Sequence, residues 1–490
     1  MIRRRTITSY VWNSVSGNKM VILLNCIRNF FRKFELLGNS VQGENPAPDN
    51  PQEIKSAGRK SKNLFNIADL RVGQVQKDGT INEKSTHYRT AILDVPEDAK
   101  YRITFKTNTD YNMIYFTHAY INGVYSNPYV KVYGGNSNSL ISLKNGKNIL
   151  SFRATKDDAI IGFPKDHNIM IAAESETLDY EPYGYFFDLK ITGKNLFDRE
   201  KARDITNWIV RDGNGYAKFP IRVGKGNKVT FYYSEKLTTG KGFYVGITQS
   251  ETSAIVSWLY HSAETNLNNK KYTAVAAGDY IYLSCTISGI QKFVDTIQTL
   301  QVEIGSEQTE YEPYAEQSMQ IVLDEPLRGV GEYKDTITKD GAVRKIKRAV
   351  FDGSEDEKWG LSREHENHIN FALVIKGAIT VNTGIRTMMD KFKYFGAIWN
   401  SDLLGQDMFG ATLRINMPKT LATDLQTFKT WLSQNPLTVD YVLAEPVTEP
   451  LPESVQAQLS SLHSENGTTH VFVDSGEVEA GINIEYKYKS

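Results

Sequence analysis

The sequence predicts a mainly β protein: two tandem jelly-roll-like β-sandwich domains followed by an α+β domain. Three observations carry this reading. A four-residue opening and a four-residue close recur at nearly the same separation. Short strand-like runs divided by turn clusters fill the interval in both copies. Helix-period stretches enter the distal part of the chain only after residue 319.

The recurrence sets the domain boundaries. Lys62-Asn63-Leu64-Phe65 returns as Lys194-Asn195-Leu196-Phe197, and Tyr180-Glu181-Pro182-Tyr183 returns as Tyr311-Glu312-Pro313-Tyr314, with spacings that differ by one position. Residues 62–186 and 187–318 therefore read as two copies of one domain. Strand-like runs in the first copy are Tyr101 to Lys106, Asn112 to Phe116, Val130 to Val132 and Ile149 to Arg153. In the second they are Lys228 to Tyr232, Phe243 to Ile247, Ile255 to Leu259 and Tyr280 to Cys285. Asn145-Gly146, Gly134-Gly135-Asn136 and Asp212-Gly213-Asn214-Gly215 punctuate them as turns. Domains of this size and pattern pack two antiparallel sheets. If the first and last strands pair, Asn63 and Glu181 are placed to seal that junction, a structural role.

Residues 20–37 set Asn25, Arg28, Asn29, Arg32 and Glu35 at three- and four-residue steps, so residues 1–37 read as a basic attachment segment with an amphipathic helix. Its apolar face needs a partner: its own first domain, another protein or a membrane surface. Residues 38–61 read as a linker, with three Pro and three Gly between Gly38 and Gly58. The α+β domain, 319–490, begins with a hairpin turning at Asp340-Gly341. A helix follows over Thr420 to Gln434, with Leu421, Leu425, Phe428 and Leu432 on one face, then a strand from Leu437. A second helix spans Glu453 to His463. The last strand alternates Ile482, Ile484, Tyr486 and Tyr488 with polar residues.

Composition narrows function. Lys plus Arg and Asp plus Glu are both 57, so nothing in the global charge favours nucleic acid, although residues 1–40 are basic and the rest mildly acidic. Aromatics make 11% of the chain, led by 27 Tyr, as suits pleated sheets with wet outer faces. Cys26 and Cys285 supply no disulfide framework. The apolar run Met20 to Leu24 is far below the roughly 20 residues of a membrane span. It also lacks a signal-peptide cleavage site.

Catalytic patterns are thin, so no enzyme activity, catalytic residue, metal or cofactor is assigned. His365-Glu366-Asn367-His368 lacks the zincin spacing and reads as a solvated loop. Gly213-Asn214-Gly215 and Gly329-Val330-Gly331 are turns without a phosphate-binding context. Cys285 lies in an apolar strand, where it is inert packing. Asp157-Asp158 would serve a glycosidase only with a second carboxyl across a cleft.

Binding needs simpler chemistry. Sugar rings stack their apolar faces on aromatics and offer hydroxyls to polar neighbours. Tyr111, Tyr115, His118, Tyr120, Tyr125 and Tyr129 cluster in the first copy, and Trp258, Tyr260 and His261 in the second. The ligand-binding candidates are Tyr111, Tyr115, His118, Tyr120, Trp258, Tyr260 and His261. Half or more of these aromatics are expected to face the sandwich cores, since strand Tyr and Trp usually pack.

The Gly38 to Pro51 stretch, the KNLF openings, the Gly305 to Tyr314 close, Glu325-Pro326-Leu327-Arg328, Asp352 to Asp356 and Val439 to Pro446 together resemble tail-associated minor structural proteins of tailed bacteriophages and prophages. The resemblance covers most of residues 38–490. It implies a virion component made in the bacterial cytoplasm and placed at the tail tip or baseplate. It also implies receptor binding through modules like carbohydrate-binding modules. Its implied partners are other tail or baseplate proteins, a host cell-surface glycan and further copies of itself, most simply a trimer. The alternatives are a purely structural tail part and a tail-associated glycan hydrolase.

Overall fold

The computed structural model describes residues 4–8, 18–26, 28–85, 88–105, 113–121, 123–128, 130–133, 135–154, 169–176, 179–210, 215–235, 242–261, 271–396, 404–465 and 467–487. The protein is mainly β, as its sequence predicts. Among the described residues the α-helices are short: Arg199–Arg203, Ile290–Thr296, Leu425–Gln434 and Glu453–Ser461. None is long and apolar enough to cross a membrane. The chain forms two compact units. The smaller holds 59–186 and 322–326; the larger holds 1–58, 187–321 and 327–490.

In the smaller unit a sheet runs in the order Val124–Ser126, Met113–Ile121, Gly146–Ala154, Arg89–Val95, Arg71–Val72, and a second sheet in the order Gly135–Leu143, Ala99–Phe105, Met170–Ala173. Alternation along the strands turns Ala91, Leu93, Val95, Tyr101, Ile103, Leu150 and Phe152 inward to one shared core. The turn from Leu143 to Gly146, which carries the chain from one sheet to the other, has a positive φ, which Gly146 supplies at +90°.

Residues 209–304 of the larger unit repeat this wiring. One sheet runs Ile209–Val210, Tyr216–Arg222, Tyr280–Thr286, Tyr244–Thr248, Ser257–His261; the other runs Lys271–Val275, Lys228–Tyr232, Gln301–Ile304. The order is the one found in the smaller unit, except that Val130–Tyr133, which pairs with Met113–Ile121 there, has no counterpart among the described strands here. The core holds Phe197, Trp208, Phe219, Phe231, Phe243, Tyr260 and Phe293. Cys285 is buried in it, and desolvation pushes its thiol up to about 12, which suits packing and not nucleophilic attack.

The recurring openings and closes explain themselves. Buried Asn63 accepts from the Phe65 and Ile171 amides at 2.9 and 3.0 Å and donates to the Ile169 and Glu181 carbonyls at 3.0 and 3.1 Å. Asn195 makes the same four bonds, from Phe197 and Val302 and to Leu300 and Glu312. One amide side chain thus ties the start of each repeat to its last strand and its close. The Glu181 carboxylate accepts from the Lys62 amide at 2.9 Å and from Arg59 at 2.6 Å. Charge at Glu181 is thereby favoured despite burial.

The amino-terminal reading is corrected. Residues 18–26 and 33–37 are strands and not a helix: Asn18–Cys26 pairs with Gly467–Asp474, and Lys33–Leu37 lies between Gly481–Lys487 and Thr336–Thr338. Phe34 and Leu36 are buried and alternate with the more exposed Lys33 and Glu35, a period of two that the polar spacing obscured. The segment from Gly38 to Gly58 is folded despite its linker composition. Ser40–Val41 pairs with Lys55–Ser56, Ile54 and Ala57 are buried, and Gln42 donates to the Met389 carbonyl at 2.6 Å.

The distal readings fare better. Thr336–Thr338 and Gly341–Phe351 form the expected hairpin, and Ile482, Ile484 and Tyr486 are buried along Gly481–Lys487; Tyr488 lies outside the described residues. The first helix starts at Leu425 and not Thr420, because the Asp424 carboxylate accepts from the Thr427 amide at 2.8 Å and caps it. Leu421 therefore sits outside the helix and is exposed. His365 and His368 close the turn between Gly360–Glu364 and His368–Val374, with rings stacked 4.2 Å apart and His368 buried, so the solvated-loop reading is corrected too.

Candidate functional site

Both repeats carry aromatic side chains on the outer face of the larger of their two sheets. In the smaller unit, the strand Met113–Ile121 bulges between Phe116 and His118. Phe116 and Ala119 point into the core, while His118 and Tyr120 are half-buried on the outer side. The His118 ring meets Tyr88 edge-on at 5.3 Å and lies 6.2 Å from Tyr125. Thr117 Oγ1 is 2.8 Å from His118 Nδ1. Desolvation, then the charge of Arg153, hold the imidazole below its ordinary pKa, which favours its neutral form.

Part of this outer face is covered by the chain itself. The ribbon of Gln74–Val75 and Ile81–Asn82 lies across it. The Val75 amide donates to Ser151 Oγ at 2.7 Å, which is 2.6 Å from Thr90 Oγ1, which donates to the Gly73 carbonyl at 2.7 Å. Gly79, at φ +82°, turns this ribbon directly against the Tyr120 ring; a Cβ there would stand 2.8 Å from a ring carbon. Tyr120 is therefore a wall residue, packed on one side, and the open aromatic patch is Tyr88, His118 and Tyr125.

In the second repeat Trp258 is half-buried, with its ring 6.0 Å from Tyr216 and 6.1 Å from Tyr244. It stands opposite Gly246, where a Cβ would meet the Ile255 side chain at 2.5 Å, so the strand passes close to that side chain there. Lys218, at the same sheet, is spent on the Ser250 and Ser253 carbonyls. Tyr260 is corrected: it is fully buried and stacked on Phe243 at 4.5 Å, a core residue that no ligand reaches. Of the remaining predicted residues, Tyr111 lies outside the described residues. Tyr115 and His261 occupy strands, but their side chains lie outside the described residues.

Register exposes a correspondence that spacing along the chain did not. Arg89 and Phe116 both face Phe152; Ala217 and Val245 both face Cys285. Tyr88 and Tyr115 precede the first pair, and Tyr216 and Tyr244 precede the second. Tyrosines thus hold the same two register positions in both copies. Tyr88, Tyr216 and Tyr244 went unnamed because each stands one residue ahead of an inward-facing position. A tyrosine just before a core alternation is the signal that would have found them.

Among the described residues no group of three or more His, Cys, Asp or Glu is placed to hold a metal ion. The arrangement offers flat, amphipathic rings beside hydroxyls and a neutral imidazole, which suits reversible contact with a polar ring. No family model, curated protein or solved structure matches the chain.

Proposed function

We propose that the chain is a bacteriophage tail-associated adhesion protein, with two tandem jelly-roll-like sandwiches and an α+β distal part, that binds a host cell-surface glycan and does no covalent chemistry. The single observation that supports it best is an outer-face aromatic cluster in each repeat, Tyr88, His118 and Tyr125 in the first and Tyr216, Tyr244 and Trp258 in the second. The resemblance of the repeat boundaries and distal motifs to tail-tip proteins supplies the setting: a virion tail, other tail proteins as neighbours and several copies per particle. Weak single contacts then add through multivalency.

The test is binding of the purified full chain to bacterial cell-wall glycan in a pull-down, with immunogold labelling of intact virions. Retention on glycan, lost when Tyr216, Tyr244 and Trp258 are replaced by Ala together, supports the reading. Labelling of tails with no retention on any glycan overturns the adhesion claim and leaves a purely structural part. Soluble fragments released from the glycan would favour the hydrolase.

A further inference from the structure

A hollow of about 560 Å³ in the larger unit, separate from the aromatic faces above, is assembled by segments distant in sequence. That volume lies in the range of small-ligand sites, roughly 300–1,000 Å³. Phe30 lines it and is 60% exposed, high for an aromatic residue lining a concavity. The ring is also held in place. Asn29–Phe30 pairs with His463–Ser464, setting Phe30 opposite His463 with the rings 6.0 Å apart and edge-on. Both polar atoms of the Gln317 amide grip the His463 backbone, at 2.9 and 3.2 Å, so the platform is pre-organised.

The other lining groups define the ligand. Asn29, and Gln458 from the helix Glu453–Ser461, bring side-chain amides to the hollow, and neither amide is hydrogen-bonded among the described residues. Each offers a donor and an acceptor, which matches vicinal hydroxyls. Met319 and Leu462 add buried apolar surface. The cation is already matched: Arg28 is 3.4 Å from His463 Nε2 and 3.9 Å from the Glu465 carboxylate, and Glu465 is itself 3.6 Å from His463. An acidic ligand would have to compete with Glu465 for Arg28. A purely apolar ligand would leave both amides unpaired.

We propose that this hollow binds one pyranose unit of a neutral oligosaccharide, its C–H face against Phe30 and its hydroxyls on Asn29 and Gln458. It is a third contact, carried by the pocket and independent of the outer-face tyrosines.

Titration of the full chain, followed by calorimetry and saturation-transfer NMR, tests this with cellotetraose, maltotetraose and chitotetraose, and with tetragalacturonate as the acidic counterpart. The expected result is binding of a neutral oligosaccharide that weakens roughly tenfold or more in Phe30→Ala. Gln458→Ala should weaken it less, Phe30→Trp should restore it, and the Phe30-dependent part of the binding should persist when Trp258 is replaced by Ala. Phe30 is exposed, so an unaltered melting temperature confirms that its variants fold. The proposal is overturned if no neutral oligosaccharide binds, if Phe30→Ala binds as the parent does, or if tetragalacturonate is preferred. Binding abolished by Trp258→Ala and untouched by Phe30→Ala would sink the pocket while leaving the adhesion reading standing.

Discussion

Replacing Asn63 or Asn195 by Ala is the same experiment performed twice in one chain. Each side chain closes two backbone amides and two carbonyls in a buried setting, and Ala strands all four groups. At about 1 kcal/mol for each lost partner, either variant should cost about 4 kcal/mol. In the smaller unit, which holds Asn63, that is a fall of roughly 10–15 °C in melting temperature, and in the larger unit, which holds Asn195, roughly 5 °C. Asn→Asp should also be costly, since it keeps the acceptor but removes the donor and buries charge. Hydrogen-exchange mass spectrometry localises the effect: Asn63→Ala should loosen peptides within 59–186, and Asn195→Ala those within 187–321. A loss below about 1 kcal/mol in either variant would refute the argument that these amides clamp the repeats shut. Losses differing several-fold would refute their equivalence.

His470 is fully buried, its Nδ1 lies 3.0 Å from the Gly193 carbonyl, and desolvation brings its pKa from 6.5 to about 4. The unfolded chain therefore binds the extra proton first. Stability from this group is complete above about pH 6.5 and is lost as pH falls towards 4, about 3 kcal/mol in all. His470→Gln should flatten that part of the profile in denaturant titrations taken across this window, and an unchanged slope counts against it. Tyr260→Ala should cost about 3–5 kcal/mol by emptying the core beside Phe243. Trp258→Ala, half-exposed, should cost far less while reducing glycan retention; equal losses in urea melts would place Trp258 in the core. Gly79→Ala imposes a left-handed Ala against the Tyr120 ring, and a loss of about 1–2 kcal/mol is expected by thermal melting. No loss would mean that the turn relaxes away from the ring.

What the sequence disclosed divides along a physical line. The repeat was legible because Asn63 and Asn195 do a backbone-satisfying job that few other residues can do, so their surroundings recur as words. Inward alternation at Ile482, Ile484 and Tyr486 was legible for the same local reason, since burial on a strand writes itself with period two. The amino-terminal strands were not. Between Asn25 and Glu35 the polar residues fall at helical steps by coincidence, and Phe34 and Leu36 acquire a buried side only from Gly481–Lys487, more than four hundred residues away. Gly38 to Gly58 misled in the opposite direction: composition counts apolar side chains, whereas this segment is held by backbone pairing and by two small anchors, Ile54 and Ala57. The candidate sites obey the same rule more strictly. Phe30 joins His463 across a strand pairing, while Tyr88 meets His118 and Tyr216 meets Trp258 over intervening strands, so each cluster is a property of sheet order and register and not of spacing along the chain. Where a site is made by strands that meet from opposite ends of the sequence, single-chain periodicity names at most one member of each pair. The partner becomes visible only when the ladder fixes which residue stands across from it.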